Sequence, residues 1–132
     1  MLTETIERIY EEMPEIERMA SAHNIASNTD ALSALPQKVV DQVQEAIREQ
    51  YGDTLTLYHG SEAELSADIE WHENTSFTDE FDIEFAGEDG YIIIAQVPAD
   101  RIKFYLDDEN EFVLTAGKLD CTVYTVAEYF GL

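Results

Sequence analysis

The spacing of apolar residues changes once along this chain, near Gly52, and that change limits the fold more than any other feature. Before it, Leu2, Ile6, Ile9, Met13, Ile16 and Met19 recur at helical spacing. Thr3 is a candidate N-cap, and glutamates crowd the first turn, where the helix dipole favours them. Pro14 predicts a kink or a split near Met13. Residues 23–35 read as a loop with about one helical turn, and His23 within it reads as a surface residue. A second helix is expected after Pro36, with Val39, Val40, Val43, Ala46 and Ile47 on one side and Gly52 as its stop.

Beyond Gly52 the pattern is that of strands. Thr54 to Tyr58 predicts one that ends at His59-Gly60, and the apolar, β-branched run Tyr91 to Val97 predicts a central one. Ile102 to Leu106, Phe112 to Leu114 and Thr122 to Val126 follow, with an acidic turn at Asp107-Asp108-Glu109-Asn110 and a glycine turn at Gly117. Strands after helices predict an α+β fold. The 132 residues fit one domain, residues 1–52 forming its helical part and 53–132 its strand-rich part.

Charge narrows the function. The chain carries 29 acidic against 7 basic residues, a formal net charge of −22. Too few lysines and arginines are present to neutralise phosphates, so direct nucleic-acid binding is excluded and anionic membranes are disfavoured. The surplus reads either as a solvated surface or as a face that meets a basic partner protein. No apolar run is long enough to span a membrane, and the N-terminus lacks the basic and apolar regions of a secretory signal. Cys121 is the sole cysteine, which leaves no internal disulfide and makes a reducing cytoplasm the expected compartment. Zinc-type spacings, a P-loop, a Rossmann glycine pattern and a Gly-x-Ser-x-Gly elbow are all missing, and His59 and His72 have no characteristic metal-ligand spacing.

Three short segments carry chemistry. Leu57-Tyr58-His59-Gly60-Ser61 puts an imidazole beside a glycine whose backbone a flat ligand can approach. Thr75-Ser76-Phe77-Thr78 offers hydroxyls that orient a carboxylate, and Phe77 offers a ring for stacking. Glu109-Asn110-Glu111 sets two carboxylates at i and i+2, on one side of an extended segment, before an aliphatic strand. One carboxylate there can stabilise an oxocarbenium ion while the other handles an incoming nucleophile. Each segment alone reads as an ordinary turn or strand end; the order of the three gives them weight.

In that order, LYHGS at 57–61, SFT at 76–78 and ENEFVLTAG at 109–117, the chain resembles the ADP-ribosyltransferase superfamily. That family carries an Arg-Gly or His-Gly pair, then a Ser-Thr-Ser-like strand, then Glu-x-Glu before an aliphatic strand and a glycine. The stretch IIIAQVPADRIKFY at 92–105 resembles its hydrophobic strand, Val-Pro turn and following strand, so the likeness spans residues 54–126. It implies N-terminal helices packed on an ADP-ribosyltransferase-like split β-sheet, with NAD as substrate. By position, His59 would bind the ribose next to nicotinamide and the Gly60 backbone would hold the carboxamide. Ser76 would orient Glu111, Thr78 would support the loop and Phe77 would stack. Glu111 would be the catalytic carboxylate on the ribose 2′-hydroxyl, and Glu109 would engage the acceptor. The implied activity is mono-ADP-ribosylation of a protein target, as in a bacterial or phage effector. Two features depart from the pattern: His59 stands where the Glu-x-Glu branch has arginine, and residues 53–132 contain only Arg101, Lys103 and Lys118 as cations. They bring in a second expectation, a non-catalytic acidic inhibitor of the same fold that docks on the basic, nucleic-acid-binding surface of a partner.

Overall fold

The computed structural model describes residues 2–26, 31–80, 87, 89–107 and 109–131. Helix α1 (Leu2–Glu12) and helix α2 (Pro14–Ala26) are separated at Met13, where Pro14 lacks the N–H that would continue the first helix and instead opens the second. Thr3 lies inside α1 rather than capping it. The α2 helix runs on past His23, so the loop expected there begins later. Helix α3 (Gln37–Tyr51) starts after Pro36 and stops at Gly52, whose φ of 96° few side chains tolerate. Its buried stripe is the expected Val39, Val40, Val43, Ala46 and Ile47.

Six strands follow: β1 (Thr54–Ser61), β2 (Thr75–Thr78), β3 (Tyr91–Pro98), β4 (Ile102–Leu106), β5 (Glu111–Leu114) and β6 (Asp120–Thr125). A short helix α4 (Val126–Phe130) closes the described chain. The strands form one antiparallel sheet in the order β4-β5-β2-β1-β3-β6, so the fold is α+β. All five residues of β4 are buried, although β4 is an edge strand, because α3 packs over it. At the other edge β6 alternates exposed with half-buried residues.

The core joins the helices to the sheet. Leu2, Ile6, Ile9 and Ile16 from α1 and α2 and Val39, Val43 and Ile47 from α3 meet Phe77, Ile93, Phe104 and Phe112. Each such buried side chain contributes roughly 1.5–3 kcal/mol. A second device ties β4 to the loops beside it. The Arg101 guanidinium donates to Thr115 Oγ1, to the Thr115 and Ala116 carbonyls and, at 2.7 Å, to the Lys118 carbonyl. Lys103, buried at a register irregularity between β4 and β5, pairs with Glu73 at 2.8 Å. Two of the three cations of the strand-rich part are therefore engaged by groups of the chain itself.

The seams of the sheet are unequal. Strands β1 and β3 pair over eight residues, from Thr54 opposite Pro98 to Ser61 opposite Tyr91. Strands β1 and β2 meet through a single pair, Tyr58 opposite Thr78. The sheet is thus closed on one side of β1 and parted on the other.

Candidate functional site

The parting holds a cavity of about 230 Å³. It is lined by Tyr58, His59 and Gly60 from β1, by Ser76, Phe77 and Thr78 from β2, and by Glu111 from β5. Pairing explains the convergence. Tyr58 faces Thr78 and Thr78 faces Glu111, so the three lie side by side across neighbouring strands. Ser76, two residues before Thr78, projects to the same side of β2.

His59 bridges the parted seam. Its Nδ1–H donates to the Ser76 carbonyl at 2.9 Å; a carbonyl only accepts, which fixes the proton on Nδ1. Burial pushes the imidazole below its ordinary pKa, and the bond to Ser76 only partly offsets this. The neutral ring therefore keeps Nε2 as an acceptor. It packs 5.1 Å from both Trp71 and Phe77, whose own centroids are 5.0 Å apart. Phe77 is only 1% exposed, so its ring serves this aromatic cluster and offers little surface for a ligand to stack on.

Burial acts in the opposite direction on Glu111 and raises its carboxyl. The nearby Ser76 side chain lowers it, the charge of Glu109 raises it, and His23 lowers it. Glu109 itself is exposed and does not line the cavity. The extended reading of Glu109-Asn110-Glu111 fails because Asn110 adopts φ 52°, so the backbone turns between the two glutamates and β5 begins only at Glu111. Asn110 is held in that turn by accepting from the Tyr105 hydroxyl at 2.9 Å and by donating to Asp79. Burial and nearby carboxylates push Tyr105 up to about 12, so the hydroxyl keeps its proton and remains a donor.

Thr78 stabilises the chain leaving β2: its hydroxyl donates to the Glu80 carbonyl at 3.1 Å and accepts from the Glu80 N–H at 3.2 Å. The acidic segment beyond, residues 81–84, lies outside the described residues. Gly60 continues β1 opposite Ile92, with no left-handed backbone, so its part is the open backbone it presents to the cavity.

Three residues at the site have no role assigned from the sequence. Tyr58 stands inside the first motif and lines the cavity. Trp71 packs on His59 from the loop before β2. His23 is 8% exposed rather than on the surface, and its Nε2 lies 3.4 Å from Ser76 Oγ. Nothing around His23 marks it in sequence, because its partner is 53 residues away.

Chemically, the cavity offers a neutral imidazole, three hydroxyls and a half-buried carboxylate, and its described lining contains no lysine or arginine. It suits a sugar beside a positively charged leaving group better than a phosphate. Among the described residues no group of His, Cys, Asp and Glu is arranged to hold a metal ion, and no helix is long and apolar enough to cross a membrane. Comparisons with protein-family models, curated proteins and solved structures find no match for the chain.

Proposed function

We propose that the protein is an NAD-dependent mono-ADP-ribosyltransferase that modifies a protein target. The observation that carries this reading is the convergence of His59, Ser76 and Glu111, from three strands, on one cavity at a parted seam. In the reaction, the bond between the nicotinamide nitrogen and the ribose anomeric carbon breaks. Nicotinamide leaves with the bonding electrons, and a nucleophile on the target forms the new bond to that carbon. Glu111 would stabilise the cationic transition state and hold the 2′-hydroxyl. His59 Nε2 would accept from a ribose hydroxyl. Ser76 would keep Glu111 aimed, and Glu109, exposed beside the cavity strand, would meet the acceptor. The pyrophosphate would lie outside the cavity, whose lining holds no cation for it.

The test is nicotinamide release and a mass gain on a target when the purified protein is incubated with NAD and candidate proteins. Glu111→Gln is expected to lower release by about 100-fold or more. Equal release by the variant removes Glu111 from the chemistry.

The net charge of −22 favours a second reading, an acidic inhibitor of a partner with a basic, nucleic-acid-binding surface. Its mark would be partner binding that falls steeply with salt and is indifferent to Glu111→Gln, with no thermal shift on adding NAD.

A further inference from the structure

Glu111 is the last pair of two ladders. On one side it faces Thr78, the final residue of β2, and on the other Leu106, the final residue of β4. Ladder ends open more readily than ladder middles. A carboxylate at such an end is placed only as well as the residues just beyond it hold the strands.

At that end three side chains meet. Asp79 follows Thr78, Asn110 precedes Glu111, and Tyr105 is next to last in β4. Asn110 Nδ2 donates to Asp79 Oδ1, and the Tyr105 hydroxyl donates to Asn110 Oδ1 at 2.9 Å. A carboxylate only accepts, so the Asn110 amide turns its N–H groups to Asp79 and leaves its oxygen for Tyr105. The Tyr51 hydroxyl, at the end of α3, donates to the other oxygen, Asp79 Oδ2, at 3.5 Å. Asp79 is anchored from behind, because the Thr78 hydroxyl bonds both backbone groups of Glu80 and ties down the chain between them. Tyr105 is anchored by burial and packs 4.8 Å from Phe112. The turn between β4 and β5 is closed by the Glu109 N–H, which donates to the Leu106 carbonyl at 3.2 Å.

We propose that Asp79 is a positioning residue of the site: through Asn110 and Tyr105 it clamps the ends of β2, β5 and β4 together and so holds Glu111 beside Thr78. Side-chain bonds take over where the backbone ladders stop. Asn110 suits this twice, since its backbone tolerates φ 52° and its amide presents a donor and an acceptor at once. The proposal rests on the transferase reading for its kinetic consequence only.

The experiment compares Asp79→Ala, which removes the acceptor, with Asp79→Asn, which keeps an oxygen for Asn110. Asn110→Gly cuts both bonds while keeping the left-handed turn free of strain. The first readout is amide hydrogen exchange by NMR, comparing residues 77–78 and 111–112 at the cavity end of the β2–β5 ladder with residues 75–76 and 113–114 at the far end. Asp79→Ala and Asn110→Gly are each expected to speed exchange about tenfold at the cavity end and less than about twofold at the far end. Asp79→Asn is expected to recover most of the difference. The second readout is nicotinamide release from NAD. Asp79→Ala is expected to lower kcat about tenfold with KM nearly constant, and Asp79→Asn to restore most of it. Exchange that is unchanged at the cavity end in either cutting variant, or raised equally at both ends, overturns the proposal, as does a wild-type kcat in Asp79→Ala. A wild-type protein that releases no nicotinamide overturns the transferase reading instead, while exchange still decides the clamp.

Discussion

The two sides of strand β1 differ sharply. Toward β3 it pairs along its whole length, and toward β2 it pairs once and then departs. The closed seam buries Ile92, Ile93, Ala95 and Val97 and does the work of stability. The open seam is spanned instead by a side chain, the imidazole of His59 reaching the Ser76 carbonyl. A backbone ladder is satisfied and leaves no room; a side-chain bridge leaves a cavity beside it. The same strand can thus belong to the core on one edge and to a binding site on the other.

Mutation at facing positions of the two seams is the most direct way to break the comparison. Ile93 lies directly opposite His59 across the closed seam and is fully buried. Ile93→Ala is expected to cost about 2–5 kcal/mol in denaturant unfolding. His59→Ala, on the open side, removes one hydrogen bond and a packed ring and is expected to cost about 1–3 kcal/mol. Equal losses would mean that the open seam is as much core as the closed one.

Acid sharpens the contrast further. The unfolded chain binds a proton at His59 near the ordinary value of 6.5, whereas the folded chain binds it only at lower pH. The unfolded state therefore holds more protons across that interval, and the stability due to the neutral imidazole is lost as pH falls below about 6.5. The His59 ring signals in a proton NMR titration should show a midpoint below that value. The stability gap between wild type and His59→Ala should narrow in the same range.

The smallest effect has the opposite sign. Burial raises Glu111, so its ionised form costs the fold something at neutral pH. Glu111→Gln is expected to raise the melting temperature slightly at pH 7, by an amount worth about 1 kcal/mol or less, and to lose that advantage as pH falls below the carboxyl's raised pKa. A lower melting temperature for the variant at pH 7 would show that the carboxylate is structural.

Much of this arrangement is legible in the residues. The split at Pro14, the helix between Pro36 and Gly52 and the strand from Tyr91 follow from local rules that tertiary contacts did not override. The lining of the cavity also follows the motifs, Tyr58 being the one lining residue to which they assigned no role. What escaped the sequence has two causes. Helix α4 was present locally: Thr125 is its N-cap, with Oγ1 accepting from the Glu128 N–H at 3.0 Å and donating to the Glu128 carboxylate at 2.9 Å. The burial of His23 and the packing of Trp71 on His59 depend on partners distant in sequence, which no local pattern encodes.

The strap made by Arg101 has an outcome beyond stability. A guanidinium that spends its donors on the carbonyls of Thr115, Ala116 and Lys118 has few left to offer an outside anion. The polyanionic exterior is then left to the ion atmosphere around it. Were NAD the substrate, as proposed, its diphosphate would be repelled less in concentrated electrolyte than in dilute buffer.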